Sequence, residues 1–321
     1  MTLRDLLFRL GGGVFACLVL MTVSQAAVPR AFVSTQGLDS NPCSAVQPCR
    51  SFNQALTVVQ PGGEIVVQDS GGYSTGFTIT QSVTIDAGGF NASVISTTAT
   101  DLCTINAGTS DRVVLRGISF HGASVGVNAI NVTQVGSLYV EHCSIVEFTN
   151  FRGAGVSMPN GGNLWVTDTD VRKCLTGLDV KTSGATPANL VAQGSRFAEC
   201  RLDGVSLVAN GAVATGWLTN CAASLCGIGF FVESASADAA LTLTNCQAFE
   251  NDSDGLFAET LSRGNATMFI AHCVVVQNAV FGVFTISSGG GIASVVGTSP
   301  GTNLIAHNGG GNAVGSAVIL Q

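Results

Sequence analysis

Residues 250–255 read Glu250-Asn251-Asp252-Ser253-Asp254-Gly255, with acidic groups at alternate positions ahead of a turn glycine. This is how an oxygen-ligand calcium loop begins, and such a loop ends on a bidentate glutamate six residues past the glycine. Leu261 holds that position and Glu259 is out of step. Calcium therefore lacks a supporting motif, no cofactor is implied, and no CxxC pair or histidine cluster offers a metal site. A second chemistry is open to paired carboxyls. Glycoside hydrolysis needs two of them roughly 5–9 Å apart. Glu141, Asp168 and Asp170 are candidates, with Arg196 beside them to receive an acidic sugar. The competing reading is plain ion pairing of Arg116 with Glu141, and of Asp170 with Arg196, on a solvated sheet. That is worth a few tenths of a kcal/mol per pair.

The elements that would carry these residues repeat. Ile118, Cys143, Thr169, Ser195, Cys221, Cys246 and Cys273 follow one another at intervals of 25–27 residues. Five positions earlier stand Val113, Leu138, Leu164, Leu190, Gly216, Leu241 and Met268. Two further apolar columns keep the same phase. A second strand in each unit opens on a glycine: Gly155, Gly177, Gly204, Gly229, Gly255, Gly282. The segments are too short and too rich in β-branched residues and glycine for helices. A coil of about 26 residues cannot bury its apolar face alone and must stack on its neighbours, ~4.8 Å away. The expected fold is all-β, a parallel β-solenoid of about eight to ten coils. "ENDSDG" then reads as one structural turn that happens to be acidic, with Asp252 and Asp254 left as surface acids.

Residues between the inward ones face out. One such column runs Val114, Tyr139, Trp165, Val191, Trp217, Thr242, Phe269 and holds both tryptophans of the chain. Exposed rings of this kind need a cover. They stack on sugar units, or they pack under a loop or another chain, or the phase is locally off, most easily at Gly216. On the first reading Tyr139, Trp165, Trp217 and Phe269 bind substrate.

Thiols form two ladders. One is the column of Cys143, Cys221, Cys246 and Cys273; the other holds Cys174, Cys200 and Cys226 and continues as Asn251 and Asn278. Stacked Cβ atoms ~4.8 Å apart are too distant for disulfides, which want about 3.8 Å, so the thiols are expected to pack as small hydrophobes. The asparagines are expected to bond backbone in adjacent turns. Glu147, Lys173, Glu199, Leu225, Glu250 and Gln277 share a column that reads as charge pairing along a turn. His142 and His272 share the column of Asp168, Asn220 and Asn245, which also reads as a turn.

With 46% hydrophobic and 10% charged residues, and a net charge of −7, the chain lacks the basic footprint of a nucleic-acid binder and the composition of a disordered one. Residues 1–26 read as a signal peptide: Arg4 and Arg9, the apolar run Val14 to Val23, then Ser24-Gln25-Ala26. No later stretch is apolar enough to span a bilayer as a helix. The expected product is exported, periplasmic or secreted, with no transmembrane anchor.

The pattern LxLxNCxxxxNxxxGL, seen from Leu241 to Leu256, resembles the repeat of right-handed parallel β-helix proteins of the pectate-lyase-like superfamily. The resemblance spans roughly residues 64–321. Residues 27–63 look like the N-terminal lead-in of such proteins. Ser51 to Gln60 is expected to form a short capping helix with Phe52, Ala55, Leu56 and Val59 on one face. Cys43 and Cys49, each beside a proline, are expected to form a local disulfide, two free thiols being the alternative. The resemblance implies action on acidic polysaccharides by hydrolysis, calcium-assisted elimination or epimerisation. The signatures depart from it, however. There is no Asp-Asp, no Gly-His-Gly and no Asp-Pro-His, and Arg172-Lys173 lacks the spacer of Arg-x-Lys. Two functional expectations follow. One is an exported protein that binds or acts on an extracellular, acidic polysaccharide, as a lyase or glycoside hydrolase if an enzyme. The other is a non-enzymatic adhesive solenoid that contacts protein.

Overall fold

The apolar columns become the inner walls of a parallel β-helix in the computed structural model, which describes residues 27–151, 153–298, 302–315 and 318–319. The expected signal peptide, 1–26, lies outside the described residues. Three parallel sheets of 12, 10 and 10 strands run the length of the molecule. One coil illustrates the path. Ser137–Glu141 lies in the first sheet, Ser144–Val146 in the second and Ala154–Met158 in the third, and Gly162–Thr167 then returns to the first. Leu138 pairs with Val113 on one side and Leu164 on the other, and Leu190, Gly216, Leu241 and Met268 continue the row. The columns read from the sequence are thus the register of the sheet. Leu138, Leu164, Leu190 and Leu241 are fully buried, each contributing about 2 kcal/mol of apolar burial.

Left-handed backbone turns each corner. Between the first and second sheets the turning residues are His142 (φ 53°), Asp168 (47°), Asn220 (55°), Asn245 (54°) and His272 (55°). Between the second and third they are Glu147, Lys173, Glu199, Leu225, Glu250 and Gln277. This conformation costs a non-glycine residue roughly 1 kcal/mol. Hydrogen bonding offsets it. The amide of Asp168 donates to Gln193 O at 2.9 Å and that of Lys173 to Ala198 O at 3.0 Å, one coil on. The next side chain donates back to the carbonyl before the corner, as in Thr169 Oγ1 to Thr167 O (3.0 Å), Ser195 Oγ to Gln193 O (3.0 Å) and Cys246 Sγ to Thr244 O (3.4 Å). The thiol column is therefore a column of small donors.

Two expectations about these turns are corrected. Lys173 makes no ion pair with Glu147 or Glu199 among the described residues. Lys173 and Glu199 are exposed corner residues, where solvent screening leaves too little attraction to hold long side chains together, and the half-buried Glu147 lies instead 3.5 Å from His121 Nε2. Asp254 is not a surface acid but is 5% exposed. Its Oδ1 accepts from the amide of Phe281 at 2.9 Å.

The second ladder behaves as expected. Asn251 Nδ2 donates to Asn278 Oδ1 (2.8 Å), Asn278 Nδ2 to Asn308 Oδ1 (2.8 Å), and Asn251 Oδ1 accepts from Cys226 N (3.0 Å). Among the described residues, eight cysteines are free and buried. Burial pushes the Cys143 and Cys174 thiols up to about 12. The glycines that open third-sheet strands face inward. A Cβ on Gly204 would lie 2.7 Å from Gly229 O, and one on Gly229 2.6 Å from Gly255 O, so only glycine lets successive coils close up here.

At the N-terminal end the helix is Phe52–Val58, capped by Ser51, whose Oγ accepts from Gln54 N at 3.2 Å. It is shorter than Ser51 to Gln60 because Val59–Val67 is already a strand of the first sheet. Phe52, Ala55 and Val58 are its buried face, and Phe52 stacks on Tyr73 at 5.4 Å. Val28–Val33 adds an outermost strand beside Val59–Val67. Cys43 and Cys49 are joined in a disulfide. Among the described residues, no helix is long and apolar enough to cross a membrane.

Candidate functional site

The outward column of the first sheet holds its expected phase. Tyr139 and Trp165 stack at 4.6 Å with 7° between their planes, and the Arg112 guanidinium lies 4.2 Å from the Tyr139 ring centre. Trp217, two rungs on, is 50% exposed. Gly216 beside it is a true inward position, since a Cβ there would meet Leu241 Cδ1 at 2.6 Å. The register nonetheless breaks the column. Val191 separates Trp165 from Trp217, and Thr242 separates Trp217 from Phe269. Only Tyr139 and Trp165 touch ring to ring.

Two candidate carboxylates of this side, Glu141 and Asp170, are held by arginines. Glu141 accepts from Arg116 Nε at 2.8 Å, and Arg116 Nη1 reaches Asp86 at 2.9 Å. Asp168 sits at a corner with His142 Nδ1 3.8 Å away. Asp170 pairs with Arg172 at 3.3 Å rather than with Arg196, its register partner, which corrects the expected pair. Arg172 stands two residues along the same strand and so shares the face of Asp170. Arg196 is exposed and makes no ion pair among the described residues.

A concavity lies on the third sheet. Here the outward column runs Thr104, Asn131, Ser157, Asp179, Ser206, Phe231, Phe257, Phe284. A groove of about 970 Å³ lies over its middle, lined by Asn131, Asp179, Lys181, Asp203, Ser206 and Glu233, among others, with Phe151 and Leu202 at its edges. Ser206 and Val208 point outward yet are only 4% and 8% exposed, so they form a floor between raised walls. Beyond Phe231 the column continues as rings in contact: Phe231 to Phe257 at 5.2 Å, tilted by 44°, and Phe257 to Phe284 at 5.1 Å, stacked at 28°. An acidic, walled segment thus runs directly into an unbroken aromatic ladder.

One carboxylate in the groove is in an unusual position. Asp101, Asp203 and Asp254 each stand two residues before an inward residue of one row (Cys103, Val205, Leu256), so they are equivalent. Asp101 accepts from Asn128 N (3.2 Å), Asn128 Nδ2 (2.8 Å) and Asn131 Nδ2 (2.7 Å), and Asp254 accepts from Phe281 N. At Asp203 the corresponding amide, Ile228 N, donates instead to Leu202 O at 2.9 Å. No backbone N–H reaches the Asp203 carboxylate among the described residues. Burial, with the nearby charge of Asp179 and a smaller push from Glu233, raises its pKa to about 7, against partial relief from Lys181 and the Ser206 hydroxyl. Glu233 is raised as well, by burial and then by Glu259. Asp179 is ion-paired with Lys181 at 3.1 Å. Among the described residues no cluster of three metal-ligating side chains is present.

The sequence carried a signal for this face. The residue two past each strand-opening glycine is Ser157, Asp179, Ser206, Phe231, Phe257 and Phe284. The outward columns read from the sequence lie on the first and second sheets, and this third-sheet column is not among them.

The family model for the right handed beta helix region matches residues 146–308, just over half of the chain. No curated protein sequence matches it. Among solved structures the chain is similar to a pectate lyase at 17% identity, covering 91% of this chain and 80% of that one with a TM-score of 0.44. It is similar to a rhamnogalacturonan lyase at 13% identity, covering 87% of each chain with a TM-score of 0.49. A third is the Dettilon tailspike protein, at 11% identity, 81% and 62% coverage and a TM-score of 0.48. With its three parallel sheets in continuous register and the match over residues 146–308, the chain belongs to the right-handed β-helix family.

Proposed function

We propose that this protein binds an extended, neutral polysaccharide along the outer face of its third sheet. The observation that carries the reading is the single register column in which a walled polar groove continues as the Phe231–Phe257–Phe284 ladder. Rings that follow one another at one strand separation form a continuous apolar strip along which the C–H faces of successive sugar rings can lie. Asn131, Asp179, Lys181 and Ser206 supply donors and acceptors for sugar hydroxyls at the walled end. Carboxylates outnumber the one lysine there, so a uronate chain would be repelled. A neutral glycan fits better than the acidic one implied by the family resemblance. Export through the 1–26 leader belongs to the same proposal, since such polymers lie outside the cell.

A second reading rests on the first sheet. The half-buried Tyr139–Trp165 stack and the half-exposed Trp217 suit contact with another protein surface, as in a non-enzymatic adhesive solenoid. Affinity electrophoresis in gels containing laminarin, galactomannan, dextran or arabinoxylan separates the two. The proposal expects retardation in at least one gel, lost in F231A/F257A and retained in W165A/W217A. Retardation lost only in the tryptophan variant would move the site to the first sheet, and no retardation in any gel would remove the glycan reading.

A further inference from the structure

Building on that polysaccharide reading, we infer that the walled end of the groove hydrolyses a glycosidic bond, with Asp203 as proton donor and Asp179 as the carboxylate that receives the proton of the attacking water. Three features of the groove carry this.

The first is the treatment of one column position in three coils. Asp101 and Asp254 bond the backbone amide of the next coil and serve the solenoid. Asp203 is released from that duty because Leu202 O takes the Ile228 amide. A carboxyl at the edge of the groove, without a backbone donor and next to other acids, is an expensive thing to keep for structure alone. The second feature is the contrast between the two acids. Asp179 has its own cation in Lys181, 3.1 Å away, whereas burial and neighbouring negative charge favour the protonated form of Asp203. Two carboxyls whose surroundings push them towards opposite protonation states divide naturally into acid and base.

The third feature is placement. Asp179 pairs in register with Ser206, so Asp203 lies one coil on and three residues back, an offset of about 10 Å of strand. An offset of that length between the two positions leaves room for a water between their carboxyls, as the wide arrangement of roughly 6.5–9.5 Å that inverts the anomeric centre requires. Phe231, the first rung of the aromatic ladder, lines the same groove and would lead the glycan into it. In the step, Asp179 takes a proton as water oxygen bonds to the anomeric carbon. The bond from that carbon to the glycosidic oxygen breaks, and Asp203 delivers its proton to the departing oxygen. One water is consumed. Proton exchange with solvent restores both carboxyls. The substrate class is a neutral polysaccharide.

The test uses the full-length protein with the four neutral polymers above and with polygalacturonate and alginate. Release of reducing ends is measured, and NMR follows the first anomer formed. New reducing ends from a neutral polymer, with inverted configuration, are expected. D203N should lower turnover at least 100-fold while its gel retardation stays within twofold of wild type. D179A should lose a similar factor and regain turnover with added azide, giving a glycosyl azide. Turnover should decline as pH rises above about 7, where Asp203 loses its proton. Wild-type turnover in D203N, or unsaturated products from the polyuronates, would overturn the inference. Retardation by a neutral polymer without any release of reducing ends would overturn hydrolysis and leave binding intact. A chain that neither binds nor cleaves any of the polymers would overturn both.

Discussion

The outer faces of the first and third sheets are built from the same repeat, with similar strands and aromatic residues at matching depth, yet they differ in two respects. On the first sheet the rings are interrupted by Val191 and Thr242, and Glu141 and Asp86 are both taken up by Arg116. On the third the rings form an unbroken row, and the acids ahead of them stand in a walled groove. Exposed tryptophans draw attention in a sequence, but continuity and concavity decide whether a face can hold a polymer. Asp203 and Asp254 repeat the contrast on a smaller scale, one column position serving two purposes.

This comparison can be broken or sharpened by experiment. The largest effect is expected from D203N on stability. The folded pKa of Asp203, about 7, lies above the ordinary aspartate value of 3.8, so the folded chain keeps a proton that the unfolded chain gives up between those values. Stability from this group therefore falls as pH rises from about 4 to 7. D203N should remove that fall, gaining about 4 kcal/mol at pH 8 and almost nothing at pH 4 in urea titrations. Equal stability of the two proteins at pH 8 would place Asp203 in an ordinary solvated setting. D254A should act in the opposite direction, losing about 2 kcal/mol because the Phe281 amide is left without its acceptor. A stabilising D254A would erase the distinction between the two aspartates. F257A alone should weaken glycan affinity about tenfold, or ~1.4 kcal/mol, by opening the ladder at its middle. R116Q should cost under about 1 kcal/mol, the deficit shrinking with added salt, because its two ion pairs are partly solvated. A larger loss would mean that the first sheet depends on its charge row.

Most of the solenoid was legible because a coil repeats its inward residues. Leu138, Leu164 and Leu190 sit in register as their spacing required, and Asn251 and Asn278 bond across coils as their column suggested. The groove was less legible, for physical reasons. Residue spacing gives direction but not exposure. Ser206 and Val208 stand at outward positions of their strand, and their burial comes from walls that no periodicity encodes. The state of Asp203 depends on where one amide, Ile228 N, finds its acceptor. Lys173 between two glutamates looked like a charge ladder, although its position is set by a left-handed corner. Asp254 looked like a surface acid because its turn is polar, while its side chain turns inward to the next coil.

The eight buried thiols also make the interior a graduated scale, running from Cys103 to Cys273. Each lies out of reach of an alkylating reagent until its own coil opens, so its labelling rate measures the free energy of that local opening. Neighbouring coils hold each other by nearest-neighbour contacts, which lets such a stack unravel from one end or part in the middle. Pulse alkylation followed by peptide mass spectrometry would order the eight sites in time and show which of these the molecule does, with no foreign probe added to the chain.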